Sequence, residues 1–217
     1  MLIKTFISNR FKENTYVVYD DSKECVIIDC GGQGDESATI AKFIDNEGLK
    51  VKHILNTHCH LDHTLGNAYF SSLYGISPEV NEKEQPLVEM THYQALALGM
   101  EDDEVAEFTP LYTLNEGEIV KFGNTELTVL HTPGHSPGGV CLYSSQDSIL
   151  FSGDTIMRHS IGASNLPGGR SKALMRSVKR ILELPADTTI YSGHGEVTTV
   201  GEEIEFGEQQ VAKSVRE

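Results

Sequence analysis

Residues 57–63 read Thr-His-Cys-His-Leu-Asp-His and directly follow an apolar segment at residues 51–56. The stretch places three imidazoles and one carboxylate within six residues. Donors of these types suit Zn²⁺ at about 2.0–2.2 Å, and Fe²⁺ or Mn²⁺ less selectively. A turn at the end of a strand can direct the first two histidines to one side, while Asp62 and His63 reach the other side. The stretch therefore predicts a metal centre, with donors for two ions, at the end of a strand.

Four donors from one turn cannot complete two metal sites, so further ligands must come from distant loops. Three candidates each follow a predicted strand and lie among glycines, which let the backbone turn sharply and approach closely. They occur in His-Thr-Pro-Gly-His, Ser-Gly-Asp and Ser-Gly-His-Gly segments. The complete candidate set is His58, His60, Asp62, His63, His135, Asp154 and His194.

The rest of the chain alternates between strand and helix patterns. Apolar runs at residues 15–19 and 25–29 predict a hairpin, and a glycine-rich turn then leads to a helix that ends near Gly48. Residues 118–130, with a Gly-Asn turn, give the clearest hairpin signal. Further helices are predicted at 64–74, within 80–108, at 174–182 and at 202–216, and further strands near 139–143, 149–152 and 189–191. Such alternation is typical of α/β architecture.

Composition limits the class of protein. The 217 residues, of which 39% are hydrophobic, fit one domain spanning residues 1–217. A formal charge of −15 argues against nucleic-acid or anionic-membrane partners. No segment approaches about 18 consecutive apolar residues, and a polar residue comes too early for a secretion signal, so we expect a cytoplasmic protein. The four cysteines are then expected as thiols. The oligomeric state is left open.

The motifs resemble those of the metallo-β-lactamase superfamily, and within it those of the small glyoxalase II-like hydrolases. The resemblance runs from Glu-Asn-Thr-Tyr at 13–16 and Val-Ile-Ile-Asp at 26–29, through the four metal motifs, to Thr-Thr-Val-Gly at 198–201. It implies a four-layer αββα sandwich of the α/β class, with the metals at one edge of the two sheets. The resemblance assigns one metal to His58, His60 and His135, the other to Asp62, His63 and His194, and a bridging position to Asp154.

The resemblance also implies a reaction. It indicates a binuclear zinc hydrolase, with iron or manganese as alternatives in one or both sites, in which a hydroxide between the metals attacks a carbonyl. Asp62 is the candidate catalytic residue, because it can orient that hydroxide as well as bind a metal. A thiolate leaves without a general acid, since its conjugate acid has a pKa of about 8.5. A small-molecule thioester of the hydroxyacyl-thiol type is therefore the expected substrate, and a lactone or ester is a weaker alternative.

Two departures from the family pattern bear on the substrate. Residues 162–165 read Gly-Ala-Ser-Asn where similar members read Gly-Arg-Thr/Ser-Asp. Losing both partners of an ion pair can be nearly neutral for folding, so we expect an intact loop with altered chemistry at its edge. Full-length glyoxalase II also has a C-terminal helical domain that binds glutathione, whereas only 23 residues follow His194 here. The acyl group and the thiol carrier stay open.

Charged and aromatic residues near the motifs are candidates for binding substrate. Arg158, Arg170 and Lys172 follow Asp154 and could replace part of the missing positive charge. Tyr191 either lines the pocket or packs in the core as a strand residue. Residues 84–120 carry nine acidic side chains and no Lys or Arg, which predicts mainly solvated helix faces.

Other functions compete with thioester hydrolysis. Persulfide dioxygenases share this fold and a Thr-His-Cys-His opening, but they use a single iron bound by two histidines and an Asp. The number and kind of metal ions per chain distinguish the two activities. A non-enzymatic binding protein is a third hypothesis, disfavoured by the intact set of seven donors. Cys59, between two ligands on the same side, is expected to point away from the metal as a buried thiol.

Overall fold

Two six-stranded β-sheets pack face to face in the computed structural model, which describes residues 1–101 and 105–214. The strand order is β1-β2-β3-β4-β5-β6 in the first sheet and β14-β13-β10-β9-β8-β7 in the second, and β11 and β12 form a separate pair. The strands are β1 Leu2–Ser8, β2 Glu13–Tyr19, β3 Glu24–Ile28, β4 Lys50–Leu55, β5 Glu79–Val80, β6 Leu111–Tyr112, β7 Ile119–Phe122, β8 Thr125–His131, β9 Val140–Ser144, β10 Ile149–Gly153, β11 Ile156–Met157, β12 Ser160–Ile161, β13 Thr189–Ser192 and β14 Thr198–Thr199. The helices are α1 Asp35–Asn46, α2 Asn67–Tyr74, α3 Gln85–Glu89, α4 Thr91–Ala97, α5 Ser171–Ile181 and α6 Val200–Ser214.

Strand β2 shows why the sequence produces layers. Its residues are buried on both faces, and successive side chains point to opposite sides of the sheet. Tyr16 and Val18 pack into the core between the two sheets. Val17 packs on the opposite face, in a cluster with Ile40 and Ile44 of α1. A strand that is apolar on both faces therefore requires a helix on one side and a second sheet on the other.

The second sheet has its own helical cover. Helix α5 buries Leu174, Val178 and Ile181 in a cluster with Leu150 of β10 and Ile190 of β13. Burying each such aliphatic side chain stabilises the fold by about 1.5–3 kcal/mol. The four layers are thus helix, sheet, sheet and helix, which confirms the αββα sandwich.

Most predicted elements are present, with shifted ends. Helix α2 begins at Asn67 rather than at residue 64, because residues 64–66 form a turn that follows the short 3₁₀ helix at 61–63. The region 80–108 contains α3 and α4, and its residues 102–104 lie outside the described residues, as do residues 215 and 216 of the last predicted helix. Strand β1 was not predicted, because it is an edge strand whose exposed residues obscure the alternation of period two. Strands of two residues are too short to carry any periodicity.

The cysteines and the helices bear on two expectations drawn from composition. All four cysteines are buried and unpaired, as free thiols. No helix in the described ranges is both long enough and apolar enough to cross a membrane.

Candidate metal centre

The seven candidate donors converge at one edge of the sandwich. They follow four strands whose ends meet there, since the 58–63 turn follows β4, and His135, Asp154 and His194 follow β8, β10 and β13. Three overlapping groups drawn from these seven residues have donor atoms within 4.8 Å of one another. The groups are His58, His60 and His135; His58, His63 and Asp154; and Asp62, His63 and His194.

The three-histidine group, His58, His60 and His135, is buried and electrically neutral. Nδ1 of His60 lies 2.8 Å from Nε2 of His135, so two ring nitrogens point at the same place. Burial lowers the pKa of His58 well below its ordinary value and that of His60 to about 3, and neighbouring imidazoles lower both further. Burial likewise lowers the pKa of His135. Neutral imidazoles hold free lone pairs, which is the state a metal ion requires.

The mixed group, Asp62, His63 and His194, is surrounded by negative charge. Oδ2 of Asp62 lies 3.1 Å from Nε2 of His194 and 3.7 Å from Nε2 of His63. Burial opposes charge here, yet the carboxylates of Asp62 and Asp29 raise the pKa of His63 well above its ordinary value. Burial likewise opposes charge at Asp62, yet His63 and His194 hold the pKa of its carboxyl group below its usual range. The same negative charge would favour a metal cation, which displaces the proton from the ring nitrogen when it binds.

Asp154 lies between the two groups. Its Oδ2 is 3.4 Å from Nε2 of His135, and its Oδ1 is 3.7 Å from Nε2 of His63. Oδ1 of Asp154 and Nε2 of His58, His60 and His63 are buried polar atoms without a hydrogen-bond partner in the described residues. Leaving such atoms unpaired costs about 1–3 kcal/mol each, so their convergence indicates a shared ligand. The donor set therefore suits a dinuclear metal site.

Asp29 supports both groups and was not identified from the sequence. Its carboxylate accepts hydrogen bonds from the backbone N–H and the hydroxyl of Thr57, at 2.7 and 2.8 Å, and faces Nδ1 of His63 at 3.1 Å. The Thr57 hydroxyl in turn lies 3.1 Å from Nδ1 of His58. With Nδ1 engaged in this way, each ring is oriented and its Nε2 faces the centre. Asp29 directly follows the buried strand β3, and this position at a strand end is the sequence signal that could have identified it. Its backbone is left-handed, with φ 54°.

Glu84 links two ligand-bearing loops. Its carboxylate accepts hydrogen bonds from the backbone N–H of Cys59, at 2.7 Å, and of Gly138, at 2.6 Å. Cys59 lies between two ligand candidates, and Gly138 follows His135 in the chain. Burial raises the pKa of Glu84, which is 1% exposed. The expectation of a solvated acidic segment is therefore wrong at its first residue.

The loop that departs from the family pattern is intact. Nδ1 of His135 lies 2.7 Å from the carbonyl oxygen of Ala163, which orients this ring. A Cβ on Gly162 would lie 2.0 Å from the carbonyl oxygen of Asp154, so only glycine fits there. The backbone of this loop thus performs a supporting role that does not depend on the absent Arg and Asp.

The candidate substrate residues lie elsewhere. Among the described residues, none of the four predicted ones lines the cavity that opens at the donor cluster. Arg158 forms an exposed ion pair with Glu196, and Arg170 lines a separate cavity. Lys172 is exposed in the first turn of α5. Tyr191 packs in the core between the sheets, as the alternative interpretation expected. A role for the three cations in binding substrate stays a prediction.

The cavity beside the metal centre has a volume of about 270 Å³. Its floor is formed by polar donors of the centre, and its walls are mostly apolar. The floor residues are His60, Asp62, His135 and Asp154. The walls comprise Phe11, Leu61, Tyr93, Gln94, Ala97, Leu98, Leu166 and Pro167. A molecule bound in this cavity would contact the metal donors directly.

The sequence and the fold are similar to those of known metal-dependent proteins. The sequence profile of the metallo-beta-lactamase superfamily matches residues 9–194. The hydroxyacylglutathione hydrolase GloC of Haemophilus influenzae is 33% identical over 198 residues, which cover 89% of this chain and 90% of that protein. The crystal structure of BLEG-1 B3 metallo-beta-lactamase has a TM-score of 0.84 at 32% identity and covers 94% of this chain and 97% of its own. The crystal structure of TTHA1623 in a di-iron-bound form has a TM-score of 0.81 at 33% identity and covers 95% and 98%.

Proposed function

Because this chain belongs to the metallo-β-lactamase superfamily, whose members are metal-dependent hydrolases, we propose that it hydrolyses thioesters at a dinuclear zinc centre. The observation that carries the proposal is the pair of donor groups joined by Asp154, in which Nε2 of His58, Nε2 of His63 and Oδ1 of Asp154 are buried without a hydrogen-bond partner in the described residues. The similarity to a hydroxyacylglutathione hydrolase supports a thioester as the substrate.

The proposed ligands follow the two donor groups. His58, His60 and His135 would hold one cation, Asp62, His63 and His194 the other, and Asp154 both. Two bound cations supply Lewis-acid polarisation of a carbonyl and lower the pKa of water toward neutrality. The similarity to a di-iron protein makes iron the main alternative to zinc.

The side chains of the chain itself supply positioning. Asp62 lines the cavity, so its carboxylate can accept a hydrogen bond from the attacking water and fix the direction of attack. Asp29 and Thr57 hold the rings of His63 and His58, so the donors do not have to reorganise during the reaction. A thiolate leaving group needs no protonation, because the pKa of its conjugate acid is about 8.5.

Metal analysis combined with a thioester assay tests this proposal. The protein is purified without added metal, its zinc and iron per chain are measured, and hydrolysis is assayed before and after chelation and after reloading with each metal. About two ions per chain, with hydrolysis that chelation abolishes and zinc restores, is the expected result. One iron per chain, with oxygen uptake on a persulfide and no thioester cleavage, would establish the dioxygenase instead.

A further inference from the structure

The cavity beside the metal centre differs in character from the rest of this acidic protein. Among its described lining residues there is no Lys or Arg, and the charged groups are Asp62 and Asp154 on the floor. Phe11, Leu98 and Leu166 line the walls. A ligand carboxylate held between the walls, away from the metal-binding floor, would find no Lys or Arg among the described lining residues. Burying an unpaired charge costs far more than burying an apolar group, so the walls select against anions.

Several wall residues are large, apolar and exposed. The exposed fractions are 65% for Tyr93, 42% for Leu166 and 39% for Leu98. Exposed apolar side chains that gather around a concave site mark a place where an apolar group binds, because only binding removes them from water. These three residues come from α4 and from two loops, and all three line this cavity.

Arg10 and Lys12 flank Phe11 in the chain, and neither is among the residues that line the cavity. Arg10 donates a hydrogen bond to the carbonyl oxygen of Leu98, and its guanidinium lies 4.9 Å from the ring centroid of Phe11. This contact ties the loop between β1 and β2 to the end of α4, so two walls of the cavity are held together. Arg10 thus positions two wall residues without lining the cavity itself.

Size indicates which part of a thioester would occupy the cavity. A glutathione carrier is a charged, drug-sized group, and pockets for such groups span about 300–1,000 Å³. The cavity lies near the lower end of this range, at about 270 Å³, and its walls are mostly apolar. A short or medium acyl chain matches both properties. From the lining, charge and volume we infer that the enzyme selects thioesters whose acyl group is apolar and uncharged, with that group held between Phe11, Leu98 and Leu166. This inference rests on the proposed thioester hydrolysis.

Thioesters of a small neutral thiol isolate the contribution of the acyl group. We would measure kcat/KM for the acetyl, butyryl, hexanoyl and adipoyl thioesters of N-acetylcysteamine with the metal-loaded enzyme. Burial of each methylene should raise kcat/KM by about fourfold until the cavity is filled. Adipoyl, which has a carboxylate in place of the terminal methyl group of hexanoyl, should be at least about tenfold poorer than hexanoyl. Equal values across the neutral series, or a preference for adipoyl, would overturn the inference and leave thioester hydrolysis standing.

A matched pair of variants locates the selectivity. Leu98 lines the cavity and Leu96 does not, although both are exposed at the end of α4. Leu98→Glu should lower kcat/KM for hexanoyl by about tenfold or more and for acetyl much less, whereas Leu96→Glu should change neither. Equal effects of the two substitutions would overturn the placement of the acyl group.

A binding measurement separates failure of the inference from failure of the proposed function. Calorimetry with S-hexyl-N-acetylcysteamine, a thioether that cannot be hydrolysed, should show binding that Leu98→Glu weakens and Leu96→Glu preserves. If this thioether binds in that way but no thioester is cleaved with any metal, the apolar selectivity is supported and the hydrolase proposal fails. If thioesters are cleaved but the thioether binds equally to both variants, the selectivity fails.

Discussion

The metal centre and the apolar cavity share their floor residues but are built in different ways. The donors of the centre follow strand ends and are held by buried polar groups, such as Asp29 and Glu84. Most of the cavity wall comes from α4 and from loops, and Tyr93, Leu98 and Leu166 there are exposed. The difference separates two tasks, because a rigid frame fixes the metal chemistry while surface segments decide which molecule reaches it.

The largest effect is expected where the frame of the centre is broken. Asp29→Ala removes the acceptor for Nδ1 of His63 and for the hydroxyl of Thr57, so metal affinity should fall by about 10- to 100-fold. Competition with a coloured chelator measures the affinity. The exposed Asp21 supplies the control Asp21→Ala. An affinity of Asp29→Ala within about twofold of the wild type would show that this support is dispensable.

The buried link between the ligand loops should affect stability. Glu84→Ala leaves the backbone N–H groups of Cys59 and Gly138 buried and unpaired, so the free energy of unfolding should fall by about 2 kcal/mol. Urea unfolding measures this loss, with the exposed Glu82→Ala as the control. Glu84→Gln keeps one acceptor and should lose less. Unfolding midpoints that match for the two alanine variants would contradict the role of Glu84.

A change in the cavity wall should leave the centre intact. Leu166→Asp adds a charge to the wall, so kcat/KM for an apolar thioester should fall by about tenfold while metal content per chain is unchanged. Leu73→Asp, at an exposed leucine of α2 away from the cavity, is the matched control. Loss of metal from Leu166→Asp would show that wall and centre are not independent.

The smallest effect concerns a histidine outside both regions. Nδ1 of His53 lies 2.5 Å from Oε1 of Glu79, and its Nε2 lies 3.1 Å from the carbonyl oxygen of Lys121, so both ring nitrogens face acceptors. The hydrogen bond with Glu79 raises the pKa of His53, and the pKa of Glu79 is lowered even though burial opposes this. Stabilisation by protonated His53 is therefore fully present below its ordinary pKa and is lost as the pH rises through its raised pKa.

The variant His53→Ala tests this titration. The variant should be less stable than the wild type by about 0.5 kcal/mol near pH 6, and the difference should shrink at higher pH. Urea unfolding at several pH values measures the difference. Both proteins keep the metal centre, so its titration cancels between them. A difference that is constant or grows with pH would contradict the raised pKa.

The metal centre and the cavity also differ in how much of each could be predicted from the sequence. The seven candidate donors, which the fold brings together, could be predicted because their residue types are common in metal sites and four of them lie within six residues of the chain. Glu84 could not, because a carboxylate among other acids has no distinguishing pattern until folding brings the N–H of Gly138, 54 residues away, to it. The cavity could not be predicted either, because Phe11, Leu98 and Leu166 come from segments that are far apart in the chain. Arg158 looked available in sequence, and only the fold places Glu196 beside it.

The chain crosses once from the first sheet to the second, between β6 and β7. The turn at residues 58–63 belongs to the first half of the chain, and His135, Asp154 and His194 belong to the second. Ions held by this set would therefore cross-link the two halves of the chain reversibly, in addition to the apolar packing between the sheets. By mass action, free metal at 100 times its dissociation constant would add about 2.7 kcal/mol to the free energy of unfolding. The melting temperature then becomes a gauge of metal supply.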